Sequence, residues 1–143
     1  MKGPIGCIVL AAGASTRMGQ AKQLLPWEGK SLIRRAVETA LASKAKFCVT
    51  VLGARSGEIA REIEGLATQV VYNSCWEKGM ASSLKAGLLA AQQSYPCLKA
   101  TLVMLVDQPY VRPHHLNQLI ETYQKQEAWI VASSYEDIQG VPA

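Results

Sequence analysis

The sequence predicts a three-layer α/β domain built on a doubly wound, mainly parallel sheet of Rossmann-like type. Three observations carry that prediction. Short apolar runs alternate with segments of helical periodicity, the connections between them are short, and the runs are rich in Val, Ile and Leu. Strands that are apolar without alternation are expected where helices cover both faces of a sheet.

The elements follow in order. Residues 5–10 form a continuous apolar run, hence a buried strand. Residues 31–43 place Leu32, Ile33, Ala36, Val37, Ala40 and Leu41 at helical spacing. Residues 47–52 predict a second strand that stops at Gly53, and 56–64 a short helix with Ile59 and Ile63 one turn apart. Residues 69–72 predict a third strand, and 79–93 a longer helix with Leu84, Leu88 and Ala91 on one stripe. Residues 101–106, TLVMLV, are the most apolar run and predict a central strand ending at Asp107. Pro113 stands where a helix can begin, and Leu116, Leu119, Ile120 and Tyr123 give that helix its apolar face. Residues 129–132 predict a last strand, and Trp76 and Trp129 read as packing residues rather than stacking platforms.

Composition narrows the class. The chain has 143 residues, 49% hydrophobic and 18% charged, which fits one domain over 1–143. Its net charge of +4 comes from scattered Lys and Arg with no aromatic interleaving, so a small anionic ligand fits better than nucleic acid. No apolar run reaches the ~20 residues of a membrane span. The N-terminus resembles a weak signal sequence, but its apolar core is short and broken by Gly6. Cys7, Cys48, Cys75 and Cys97 form no C-x-x-C pair and have no histidine at metal spacing. Cys7 and Cys48 fall inside apolar strand-like runs and read as small buried hydrophobes of a reducing, cytoplasmic compartment, and no structural zinc is expected.

In sheets of this kind ligands bind beyond the carboxyl ends of the strands. That rule selects the loop after the first strand and the turn at Asp107. The loop, AAGASTRMGQAK, fails the P-loop spacing because five residues separate Gly13 from Gly19 and Lys22 lies three beyond. It also lacks G-x-G-x-x-G. Its small residues still expose backbone N–H groups, and Arg17 and Lys22 supply positive charge, as an anion cradle requires. A plain strand-to-helix connection with surface charges is the competing reading.

LAAGASTRMGQAKQLLPWEGKSL resembles the opening motif of the MobA-like NTP transferases, the nucleotidyltransferases related to the molybdenum cofactor guanylyl- and cytidylyltransferases. NSCWEKGMASSLKAG and LVDQP are similar to that family's second and third blocks, and the final GVPA to the start of a fourth. The resemblance implies the fold of the nucleotide-diphospho-sugar transferases. It implies that Leu10, Ala11, Ala12 and Gly13 wrap the nucleotide with Ser15 and Gly19, and that Arg17 and Lys22 contact the triphosphate. It places Gly79, Met80, Ser82 and Ser83 near base and ribose, and makes Asp107 the Mg²⁺ ligand. Ala12, where the guanylyl branch usually carries glycine, favours CTP.

The implied reaction moves CMP from CTP to a phosphate-bearing acceptor, the molybdopterin cofactor, and releases pyrophosphate. Arg17, Lys22 and Asp107 are its catalytic residues and a molybdoenzyme a downstream partner. Sugar phosphates or other metabolites as acceptors, and a nucleotide-binding module without turnover, stay open. Family members run on for several tens of residues, so the chain is expected to lack the C-terminal part of the fold and to turn over weakly.

Other polar residues carry milder expectations. Asp107 could cap its turn through Gln108-Pro109, and Ser82 and Ser83 could satisfy N–H groups in a helix's first turn. Asn73 could reach ribose or close an Asx turn. Lys85 reads as solvated, and His114 and His115 as surface residues, since no G-x-S-x-G elbow accompanies them.

Overall fold

A computed structural model describes residues 3–14, 21–135 and 138–143. Four parallel strands form the sheet in the order β5-β4-β1-β6, with β1 at Ile5–Ala11, β4 at Cys48–Leu52, β5 at Thr68–Tyr72 and β6 at Ala100–Leu105. Two short antiparallel pairs flank it: β2 (Pro26–Trp27) with β3 (Lys30–Ser31), and β7 (Ser133–Tyr135) with β8 (Ile138–Gly140). The helices are α1 (Leu32–Ala42), α2 (Ser56–Glu62), α3 (Met80–Ser94) and α4 (Pro113–Gln126).

Every residue of β1 and β4 is buried, because both are interior strands with helices on both faces. Cys7, Val9 and Ala11 face one side, in a cluster with Ile33 and Val37 of α1, Ile59 of α2 and Leu116 of α4. Ile8 and Leu10 face the other, with Val49, Val51 and Ala91 of α3. Each fully buried aliphatic side chain contributes about 1.5–3 kcal/mol. The predicted three layers are therefore present. Ser31 caps α1 by accepting from Arg34 N at 3.3 Å, and Pro113 opens α4.

Two expectations are corrected. The run TLVMLV is an edge strand of the four-stranded sheet, not a central one. Leu102 and Met104 are buried against the α1/α4 side, and Val103 and Leu105 are half-buried against α3. Two covered faces explain the apolarity, and a strand's lateral position leaves no mark in such a pattern. On the outer side, Ala143 exchanges backbone hydrogen bonds with Val103 at 2.8 and 3.2 Å.

Residues 129–132 form no strand, and Trp129 is 99% exposed instead of filling a core. Glu127 ends α4 with a left-handed φ of 46°, and residues 128–132 pair with no described strand. Pairing begins only at Ser133, whose hydroxyl donates to Pro142 O at 2.6 Å. His115 Nε2 lies 2.9 Å from that same Oγ, so His115 is half-buried and ties α4 to the chain's last segment, while His114 is exposed.

No helix among the described residues is long and apolar enough to cross a membrane. All four cysteines are free, Cys7 and Cys48 buried as register partners, Cys75 and Cys97 exposed. Hydrogen bonding with Cys48, then burial, push the Cys7 thiol well above its ordinary range. Thiol titration of the native protein at neutral pH should therefore label Cys75 and Cys97 rapidly, and Cys7 and Cys48 only on unfolding. Fast labelling of all four would contradict the buried placement.

Candidate functional site

Parallel register sets the site. Leu10 is level with Leu105, and Ala11 with Leu52, so the loops after β1 and β6 leave the sheet at one height. The start of α3 rises beside them. Together they enclose a cavity of about 530 Å³, lined by residues 10–14, Lys22, Gln23, Trp76, Gly79, Met80, Ser83 and residues 105–107.

Lys22 and Asp107 meet across the mouth, Nζ to Oδ2 at 3.6 Å, each about half exposed. An exposed pair of this kind contributes about 0–1 kcal/mol. Parting this ion pair to engage a phosphate or a cation therefore costs little in itself. The two loops are also clipped together behind the site. Glu28 and Gly29 take φ of 50° and 82°, which turns the β2–β3 hairpin tightly. Trp27 then meets Tyr110 edge-to-face at 5.3 Å, and Arg35 binds Glu28 at 2.6 Å. The hairpin follows Lys22 and Tyr110 follows Asp107, so these contacts fix one charged residue relative to the other. Lys30, then burial and Arg34, set the balance at Glu38, whose carboxyl lies below its ordinary range and anchors the hairpin to α1.

On the α3 side, Gly79 has φ of 103°, a conformation that favours glycine and turns the chain into the helix. Asn73, almost wholly buried, holds this turn. Its Oδ1 accepts from Cys75 N at 2.9 Å, and its Nδ2 donates to Ser82 Oγ and Ser83 Oγ, each at 2.9 Å. The Ser82 hydroxyl also reaches Gly79 O at 2.7 Å and Cys75 O at 3.0 Å. Gly53 allows Trp76 to close the wall, since a Cβ there would lie 2.5 Å from Trp76 Cβ and 2.8 Å from Ala12 O.

The structure thus brings Leu10, Ala11, Ala12, Gly13, Lys22, Gly79, Met80, Ser83 and Asp107 around one cavity. Asn73 and Ser82 stand behind the wall rather than on it, with their polar atoms engaged by protein partners. Ser15, Arg17 and Gly19 lie outside the described residues. Trp76, read from the sequence as a packing residue rather than a stacking platform, both joins the α3-side cluster and lines the cavity. Gln23 was not singled out by the sequence; its signal is a single polar residue in the otherwise apolar stretch after Lys22.

The donor set bears on a metal. Among the described residues no group of three or more His, Cys, Asp or Glu could hold an ion. Asp107 supplies one carboxylate. Mg²⁺ is commonly held by one or two carboxylates with the remaining ligands from substrate phosphates and water. The residues present therefore fit a cation that enters on a triphosphate.

A family profile described as "MobA-like NTP transferase domain" matches residues 7–143. The chain is 39% identical over 103 residues to nicotine blue oxidoreductase of Paenarthrobacter nicotinovorans, covering 71% of this chain and 48% of that protein. It is 33% identical over 95 residues to the molybdenum cofactor cytidylyltransferase of Escherichia coli K12, covering 64% and 47%. A Mycobacterium tuberculosis protein solved in complex with manganese superposes with a TM-score of 0.69 at 28% identity, covering 83% of this chain and 59% of that one. The chain spans about half the length of the curated relatives it matches.

Asn73 should matter to the fold through the two serines it holds. Asn73→Ala should lower stability by about 1–3 kcal/mol, because it strips partners from a buried network. Urea denaturation checks this; an unchanged midpoint would contradict the bracing role.

Proposed function

The chain belongs to the MobA-like NTP transferase family, and on that footing we propose that it binds a nucleoside triphosphate, CTP by preference, and moves the nucleotidyl group to a phosphate-bearing acceptor. The observation that carries this reading is the single cavity shared by Lys22, Asp107, the β1 loop and the start of α3. Backbone N–H groups and the α3 N-terminus favour an anion, and Lys22 adds a full positive charge. Ala12, on the cavity wall, narrows the base end relative to glycine and favours the smaller pyrimidine.

The chemistry needs little beyond this. A phosphate monoester acceptor is largely ionised at neutral pH, so its oxygen attacks the α-phosphorus without a general base. A new P–O bond forms, the bond to the bridging α–β oxygen breaks, and the electron pair leaves with pyrophosphate. Positioning and charge neutralisation dominate such transfers. Lys22 would hold the phosphates and offset charge on the departing pyrophosphate. Asp107 would hold Mg²⁺, which neutralises phosphate charge when bound. The molybdopterin cofactor is the acceptor we favour, given the identity to the cytidylyltransferase. Action beside a molybdoenzyme, and in the cytoplasm, follows from that choice.

The oxidoreductase relative supports a second reading, in which the same cavity takes the nucleotide half of a redox cofactor. Calorimetric titration with CTP, GTP, ATP and UTP in Mg²⁺, beside NADH and NADPH, separates the two. We expect CTP to bind most tightly, and binding of a dinucleotide alone would favour the second reading. Lys22→Ala should weaken CTP binding roughly tenfold or more with an unchanged melting temperature. Undiminished binding would remove Lys22 from the phosphate site.

A further inference from the structure

Trp76 opens the short helical turn Trp76–Lys78, in which no residue is fully buried. Its side chain is half-buried: it packs on the α3-side cluster and also lines the cavity. It stands hard against the sheet end, because only glycine at position 53 leaves it room. A Cβ there would lie 2.5 Å from Trp76 Cβ and 2.8 Å from its Cγ. Among the described residues no aromatic ring contacts this indole, whereas Trp27 meets Tyr110 and Phe47 meets Tyr95.

The cavity combines an apolar wall with a charged mouth. Leu10, Ala12, Trp76 and Leu105 line it as members of one hydrophobic cluster. Met80, 58% exposed, joins them from the start of α3. At the mouth stand Lys22 and Asp107, and the N–H groups of Gly13 and Ala14 meet no acceptor among the described residues. Sheet order sets Trp76 apart from that mouth. Gly53, beneath Trp76, follows β4, Asp107 follows β6, and β1 runs between them. Neighbouring strands are spaced by about 4.8 Å, so the two sides are on the order of 10 Å apart. A bare phosphate would satisfy the mouth and leave the apolar wall in water. A ligand that carries a planar ring beyond its phosphates covers both. Burying apolar surface is favourable, and an indole and a thioether each pair well with an aromatic ring.

Resting on the nucleotide reading above, we propose that Trp76, with Met80, is the seat of the base: the nucleobase ring lies against the indole and the thioether over the ends of β4 and β1, while the phosphates reach Lys22 and Asp107 beside β6. The sequence reads Trp76 as packing alone; the cavity gives it this second role. Every base has a π-face, so the seat adds affinity for a base and does little to choose among bases. The pyrimidine preference argued from Ala12 is a separate effect.

The test removes the base and the indole in turn. CTP and ATP are each compared with ribose 5-triphosphate, which lacks only the base, by calorimetric titration in Mg²⁺. Trp76→Leu should weaken CTP and ATP binding roughly tenfold or more and leave ribose 5-triphosphate within about twofold. A second measurement needs only the unaltered sequence. Protein labelled with 5-fluorotryptophan gives a fluorine resonance for Trp76, identified by its absence from Trp76→Phe. Nucleoside triphosphate should move that resonance and ribose 5-triphosphate should not. Unchanged nucleotide affinity in Trp76→Leu would overturn the inference and leave the nucleotide reading standing. An equal loss for ribose 5-triphosphate would also overturn it, since Trp76 would then only support the wall. So would a Trp76 resonance that both ligands leave in place or move alike. Failure of CTP, ATP and ribose 5-triphosphate all to bind would overturn the nucleotide reading itself.

Discussion

Leu10 stands level with Leu105 on one side of β1, and Ala11 with Leu52 on the other. This parallel register is the constraint on which the site depends. A slip of one residue would exchange the two faces of β1, moving Ile8 and Leu10 into the space filled by Cys7, Val9 and Ala11. Burial on both faces forbids it. The same register delivers the loops after β1 and β6 to one edge, where the start of α3 meets them. Site geometry is therefore inherited from core geometry.

What the register positions, local hydrogen bonds then polarise. Asn73 turns Ser83 into a donor, and Gln23 and Ala54 occupy the carbonyls of residues 11–13. The backbone that faces the cavity is left as a donor surface before any ligand arrives. Donors fixed in this way need no reorganisation when they meet an anion or a base. The Lys22–Asp107 pair, by contrast, is about half exposed at the mouth. A hydrogen-bonded wall beside a half-exposed charged mouth suits the proposed transfer, in which a triphosphate binds and pyrophosphate leaves.

Much of the fold was legible because apolar runs and helical periodicity report burial directly, as in β1, β4 and α1. The lateral order of strands was not, since TLVMLV reads the same at a sheet centre or at an edge covered on both faces. Residues 129–132 misled because β-propensity expresses itself only where a partner strand exists. In the site, Gly13 and Lys22 stood out as a small-residue loop carrying positive charge and Asp107 as a carboxylate at a strand end, and the structure lines one cavity with all three. Gln23 was not, because its role arises from two carbonyls that meet it only in the folded chain. Asn73 was visible as a polar residue at a strand end, and only the structure shows it committed to the serines.

The central claim is that the carboxyl edge of the sheet, between the β1 loop and α3, receives the nucleotide. Backbone amide NMR of isotope-labelled protein, titrated with CTP and Mg²⁺, tests it most directly. The account predicts that the largest shifts fall on Gly13, Ala14, Lys22, Ser83 and Asp107, with Lys44 and Lys46 at the opposite end of the sheet undisturbed. Largest shifts at Lys44 and Lys46, or none in the β1 loop, would contradict it.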